Sequence, residues 1–154
     1  MEGICNRLAP GCVLLDVQEQ DLKQIIRTMV TALTAEVPVS DPDRLVREVM
    51  AREQLSSTCI GNGCAIPHAH SDTVHTSLIV AARLATAVPL DAPDGLPVSL
   101  VFLLVGPARR AMAHLKLLSK LARILHDEES RKSLRAATSA DEFLGAICKG
   151  EMNG

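Results

Sequence analysis

The stretch Cys59-Ile60-Gly61-Asn62-Gly63-Cys64-Ala65-Ile66-Pro67-His68-Ala69-His70 decides how this chain is read. Two glycines bracket a turn in which backbone N–H groups can approach an anionic group closely. Pro67 fixes its own φ and pushes Ile66 toward an extended conformation, so His68 is an imidazole held in one direction. A neutral imidazole is a nucleophile, and its ordinary pKa lies near working pH. A fixed nucleophilic histidine beside anion-binding amides points to phosphoryl chemistry. Pro67 also argues against a central paired strand, leaving residues 59–70 irregular or in short strands.

The flanks of this segment set the fold class. Upstream, Leu22, Ile25, Ile26, Met29, Val30 and Leu33 line one helical face, with Asp16 and Glu19 as the expected N-terminal cap. A second helix starts with Asp41 as cap and Pro42 in the first position, and Arg52 falls in its last turn. Downstream, residues 76–84 read as a strand. Residues 98–105 are nearly all apolar and read as a strand buried on both faces. Helical periodicity returns at Ala113 and places His114 near a helix start. A short helix over residues 128–137 follows. Ser139 and Glu142 then form a capping box for a last helix carrying Phe143, Leu144 and Ile147. Strands interspersed with about five helices define an α/β single domain. Residues 1–12 read as a loose lead-in to a domain over 13–149.

Composition narrows the function. A length of 154 residues suits one domain, and only two aromatic residues, Phe102 and Phe143, leave the core aliphatic. A formal net charge of −2 argues against nucleic-acid binding, which needs a basic face. The apolar run 100–105 is too short to span a bilayer, and Met1-Glu2-Gly3-Ile4-Cys5 lacks the basic start of an export signal. These features lead to an expected cytoplasmic location with no membrane insertion. Five cysteines without a tight pairing pattern are expected as free thiols.

Four segments in order resemble the enzyme IIA domains of the sugar phosphotransferase system, fructose/mannitol type. Gly61-Asn62-Gly63 with Ala65-Ile66-Pro67-His68 resembles the family's phosphorylation site. Ala51-Arg52-Glu53-Gln54-Leu55 with Ser57-Thr58 resembles the approach to it. Asp91-Ala92-Pro93-Asp94-Gly95-Leu96-Pro97-Val98 is similar to a signature of the nitrogen-regulatory branch. His114-Leu115-Lys116-Leu117-Leu118-Ser119-Lys120-Leu121-Ala122 resembles the helix with the second active-site histidine. The resemblance covers residues 13–148. It implies a mixed sheet flanked by helices in three layers.

The resemblance also implies roles. His68 would accept a phosphoryl group on Nε2 from phosphorylated HPr or its nitrogen-branch paralogue, without cofactor or metal. His114 would hydrogen-bond the phosphoryl oxygens, its pKa depressed by the helix N-terminus. Arg52 would lend charge, and Thr58, Asn62 and Gly63 would shape the loop or touch the phosphate. The phosphoryl group would move on to an enzyme IIB residue or stay as a mark read by a regulated protein partner. Ile60, Ala65, Ile66 and Ala69 are the expected apolar docking residues. His70 departs from the family, which usually carries arginine or another basic or small residue there. The alternative is a non-transferring regulatory or metal-binding module. Cys59, Cys64, His68, His70, His75 and His114 are its conceivable ligands, in a spacing that matches no common zinc motif.

Overall fold

A strand with no polar break cannot face water, so the long apolar run is the natural centre of the fold. In the computed structural model, which describes residues 3–153, the chain begins with a short helix α1 (Ile4–Arg7) and strand β1 (Val13–Val17). Helices α2 (Leu22–Glu36) and α3 (Pro42–Leu55) follow. Three short strands come next, β2 (Cys59–Gly61), β3 (Cys64–Ala65) and β4 (His68–His70), and then two long ones, β5 (Leu78–Val88) and β6 (Val98–Gly106). Helices α4 (Ala111–His126), α5 (Glu128–Ala136) and α6 (Ala140–Asn153) complete the order. Met1 and Glu2, part of the stretch read for an export signal, lie outside the described residues.

The sheet runs β1-β5-β6-β3-β2, with β4 also pairing β6. It is mixed: β5 and β6 are antiparallel, whereas β1 runs parallel to β5 and β3 and β4 run parallel to β6. All of β6 except Ser99 is buried, so both of its faces are covered. Helices α2 and α3 pack together, and α4, α5 and α6 form a second group; these helices flank the sheet. Phe102 on β6 stacks on Phe143 of α6 at 5.9 Å, bringing the two aromatic residues together inside an aliphatic core.

Pro67 explains why one strand became two. β3 pairs with β6 at Leu100 and Val101, β4 pairs with it at Leu104, Val105 and Gly106, and Ile66-Pro67 lies between. Proline has no N–H to give the ladder, but its carbonyl still accepts from Leu104 N at 3.0 Å. The interruption falls directly before His68.

Three expectations need correction. The cap of α2 is Asp21, whose side chain accepts from Gln24 N. Asp16 instead sits at a left-handed φ of 58° in β1, a strand that helical and strand periodicity did not reveal. Residues before Val13 are packed rather than loose: Ile4, Leu8 and Cys12 enter the core, and the amides of Ile4 and Cys5 donate to the Glu151 carboxylate. Finally, the cysteines are not all free. Cys5 and Cys148 form a disulfide, their Cα atoms 5.1 Å apart although 143 residues separate them in sequence. The packing of α1 on α6 creates that proximity, and no local spacing could announce it. Cys12, Cys59 and Cys64 are free and buried. Burial raises the pKa of all three, that of Cys64 to about 11.

Candidate functional site

The Gly-Asn-Gly turn takes three consecutive left-handed residues, Gly61 (φ 89°), Asn62 (φ 59°) and Gly63 (φ 75°). Only glycine, and less readily asparagine, occupies that region cheaply. The turn does receive an anion, but the chain itself supplies it. Asn62 N donates to the Asp94 carboxylate at 2.7 Å, and Leu96 N donates to its other oxygen at 3.1 Å. These two bonds hold the Asp94 carboxyl below its ordinary pKa. From the opposite side Arg135 donates to the Asn62 carbonyl at 2.6 Å. Asn62 and Gly63 therefore line a separate recess with Leu96, Pro97, Arg131 and Arg135, away from His68.

Thr58 is likewise committed to structure. Glu53, in the last turn of α3, accepts from Thr58 N at 3.0 Å and from its hydroxyl at 2.6 Å. The Thr58 carbonyl accepts from Ile66 N at 3.0 Å, tying the approach segment to the residue before Pro67.

His68, His114 and Arg52 do converge. They line one cleft of about 470 Å³ together with Glu48, Ala69, His70, Ala111, Met112, Leu115 and Leu118. The walls come from α3, β4 and α4. His68 Nδ1 lies 2.7 Å from the Ile66 carbonyl. A carbonyl can only accept, so Nδ1 carries the proton and Nε2 keeps its lone pair. Burial lowers the His68 pKa, and the charges of Arg52 and His70 act in the same direction, against opposing contributions from the Ile66 carbonyl and Glu53. The result is a neutral imidazole with Nε2 as its available nucleophile.

His114 stands in the first turn of α4, its ring centroid 5.9 Å from that of His68 and 4.5 Å from that of His70. It is only 4 % exposed. Its pKa falls to about 4, chiefly through burial and then through His70 and His68. Burial is thus the first cause, where the sequence reading had looked to the helix N-terminus. Neither ring nitrogen of His114 has a protein partner. A neutral imidazole always carries one N–H, so His114 holds a buried donor without a protein partner. Gly106 packs close by: a Cβ there would stand 3.0 Å from Ser77 Oγ, a tight approach, and 3.5 Å from His114 Nδ1, an ordinary contact.

Arg52 donates to the Ser56 carbonyl at 3.0 Å, which fixes its guanidinium at the end of α3. Sequence reasoning missed Glu48 and Met112. Glu48 lies four residues before Arg52, on the same face of α3, a spacing that could have found it. The apolar rim also differs from expectation. Of the four expected docking residues Ile60 is exposed but Ala65, Ile66 and Ala69 are buried, whereas Met112 and Leu115 on α4 are 69 % and 54 % exposed. Among the described residues no group of three or more His, Cys, Asp or Glu side chains is placed to hold a metal ion.

The mixed sheet, flanked by helices, thus brings His68, Arg52 and the buried His114 to one cleft. Residues 7–149 match the family described as phosphoenolpyruvate-dependent sugar phosphotransferase system, EIIA 2, and the chain belongs to that family. A nitrogen regulatory protein of Pseudomonas aeruginosa is 34 % identical over 140 residues, 91 % of each chain. The crystal structure of nitrogen regulatory protein IIA-Ntr from Neisseria meningitidis superposes with a TM-score of 0.85 at 32 % identity, covering 94 % of this chain and 98 % of that one. The fold also matches enzyme IIA of mannitol in its complex with phosphorylated enzyme IIB from Escherichia coli, with a TM-score of 0.77 at 22 % identity over 92 % of this chain and 96 % of that one. No helix among the described residues is long and apolar enough to cross a membrane.

Proposed function

We propose that this chain is a cytoplasmic phosphoryl carrier of the nitrogen-regulatory kind, accepting a phosphoryl group on His68 from an HPr-type donor. The observation that carries this reading is the His68 Nδ1 to Ile66 carbonyl bond. It leaves Nε2 unprotonated and gives the ring a place to put positive charge. As Nε2 attacks phosphorus, the new P–N bond forms while the P–N bond of the donor phosphohistidine, protonated on its other ring nitrogen, breaks. The electron pair leaves with the donor nitrogen. His68 becomes a phosphoimidazolium whose Nδ1–H stays on the Ile66 carbonyl, and the donor ring returns to neutral imidazole. Charge and protons balance, and neither a metal nor a cofactor takes part.

The other cleft residues suit that step. Arg52 supplies a planar cation for the phosphoryl oxygens. His114 supplies a donor with no competing partner, in a site where burial strengthens electrostatic interactions. Met112 and Leu115 form an exposed apolar rim on which a donor protein can dock. Transfer puts up to about two negative charges on the phosphoryl group beside one positive charge on the ring, a net gain of about one negative charge against a formal net charge of −2 for the whole chain. A regulated partner can read that change, and an enzyme IIB protein is the alternative acceptor.

The test is mass spectrometry after incubation with a phosphorylated HPr-type donor. Wild type should gain one phosphoryl mass that is lost in acid and survives base, and His68→Ala should gain none. Labelling of His68→Ala would overturn the assignment.

A further inference from the structure

We propose that His70 is a third phosphoryl-binding group of this site, donating a hydrogen bond to the group carried by His68; this rests on the reading of His68 as acceptor. Three observations converge on it. Side chains two apart on a strand share a face, so His68 and His70 project together from β4 into the cleft. In the parallel pairing of β4 with β6, the residue opposite His70 is Gly106, which has no side chain. The His114 ring lies beside this glycine, its Nδ1 3.5 Å from where a Cβ would stand, and against His70 at 4.5 Å and His68 at 5.9 Å. The three rings therefore form one group with the buried imidazole behind the two strand imidazoles.

The chemistry of the group asks for such a donor. A phosphoryl group presents three acceptor oxygens. Of the side chains lining the cleft, Arg52, His114 and His70 can donate to it, and Glu48 is the carboxylate among them. His114 is buried at the back of the cleft, while His70 is exposed. His70 can therefore meet an incoming phosphoryl group before it reaches His68, and remain bonded to it afterwards. The contact with the His114 ring limits the directions His70 can take, so less rotamer freedom is lost when it engages.

The experiment uses phosphoramidate as a small-molecule donor, so protein docking plays no part. His68 Nε2 displaces ammonia from phosphorus, the P–N bond of the reagent breaking as the new one forms. Wild type, His70→Ala, His70→Arg and His68→Ala are compared for labelling rate and for the pH titration of the 31P resonance, with circular dichroism as folding control. His70→Ala should label about three- to tenfold more slowly, the loss of one exposed hydrogen bond to a charged group. Its phosphoryl resonance should titrate at higher pH than in wild type, because a donor to the dianion is gone. His70→Arg should restore both within about twofold of wild type, since a guanidinium also donates to phosphate oxygens. Wild-type rates and titration in His70→Ala would overturn the proposal. So would equal slowing in both variants with an unchanged titration, which would mark a purely structural role. Labelling of His68→Ala would instead overturn the acceptor assignment beneath it.

Discussion

The Nδ1–H of His68 donates to the carbonyl of Ile66, two residues earlier, at 2.7 Å. Pro67 stands between the two and makes this local bond possible by holding both its own φ and the extended form of Ile66. The Ile66 amide is itself bonded to the Thr58 carbonyl, and Thr58 to Glu53 at the end of α3. His68 is thus tied through three residues, Ile66, Thr58 and Glu53, to the helix that carries Arg52. Loosening this chain should affect transfer without touching the acceptor atom. Glu53→Ala leaves the buried Thr58 hydroxyl without its partner, which costs roughly 1–3 kcal/mol. Chemical denaturation should register that loss, together with slower phosphorylation. Unchanged stability would mean that the Thr58 bonds carry no weight.

His114 should assist transfer without carrying the phosphoryl group. Losing one hydrogen bond to a charged group costs roughly 1.5–3 kcal/mol, about ten- to a hundredfold in rate if the bond forms mainly in the transition state. His114→Ala should therefore still label, but slowly, in single-turnover transfer. A rate equal to that of wild type would place His114 outside the reaction.

The same histidine should make the fold acid-sensitive. Its folded pKa, about 4, lies below the ordinary value of 6.5, so the unfolded chain binds its proton more readily. Stability on this account is complete above pH 6.5 and falls as the pH drops toward 4, by on the order of 3 kcal/mol in all. His68, whose pKa is also lowered, adds in the same direction. Urea midpoints measured from pH 7 to 4 should decline less steeply in His114→Gln. Parallel curves would show that acid acts elsewhere.

The disulfide should hold the two ends of the chain together. Thiol titration of the unreduced, denatured protein should count three thiols, and five after reduction. Closing so long a loop stabilises by about 2–5 kcal/mol, so reduction or Cys5→Ser should lower Tm by roughly 5–15 °C. Five thiols without reduction, or an unchanged Tm, would remove the bond from the account of stability.

Docking should depend on the α4 rim. Met112→Glu with Leu115→Glu puts two charges on exposed apolar positions and leaves the core alone. Transfer from a protein donor at low concentration should slow by about tenfold or more, since rim charges act mainly on association. Transfer from phosphoramidate, which needs no docking, should slow less, since the two positions also border the cleft. Equal slowing with both donors would point to damage within the cleft instead.

Much of this protein was legible in local order. The helix over Pro42–Leu55 shows itself in Asp41-Pro42, a cap followed by proline in the first turn, and the central strand in an apolar run with no polar interruption. Pro67 and the Gly-Asn-Gly turn marked the backbone of residues 59–70 because restricted or left-handed conformations need those residues, wherever the chain lies in space. What tertiary structure alone decided was which groups meet across distance. Gly61-Asn62-Gly63 has the geometry to bind an anion, and only the packing of residues 91–97 assigned that role to Asp94. Cys5 and Cys148 acquired a partnership from the docking of α1 on α6. His70 met His114 because the sheet sets His70 opposite Gly106, thirty-six positions beyond it in number, and α4 packs its His114 ring beside both. Backbone preferences act over a few residues and can be read from them. Contacts between distant segments depend on how the covered sheet and its helices pack, and no short stretch of sequence contains that information.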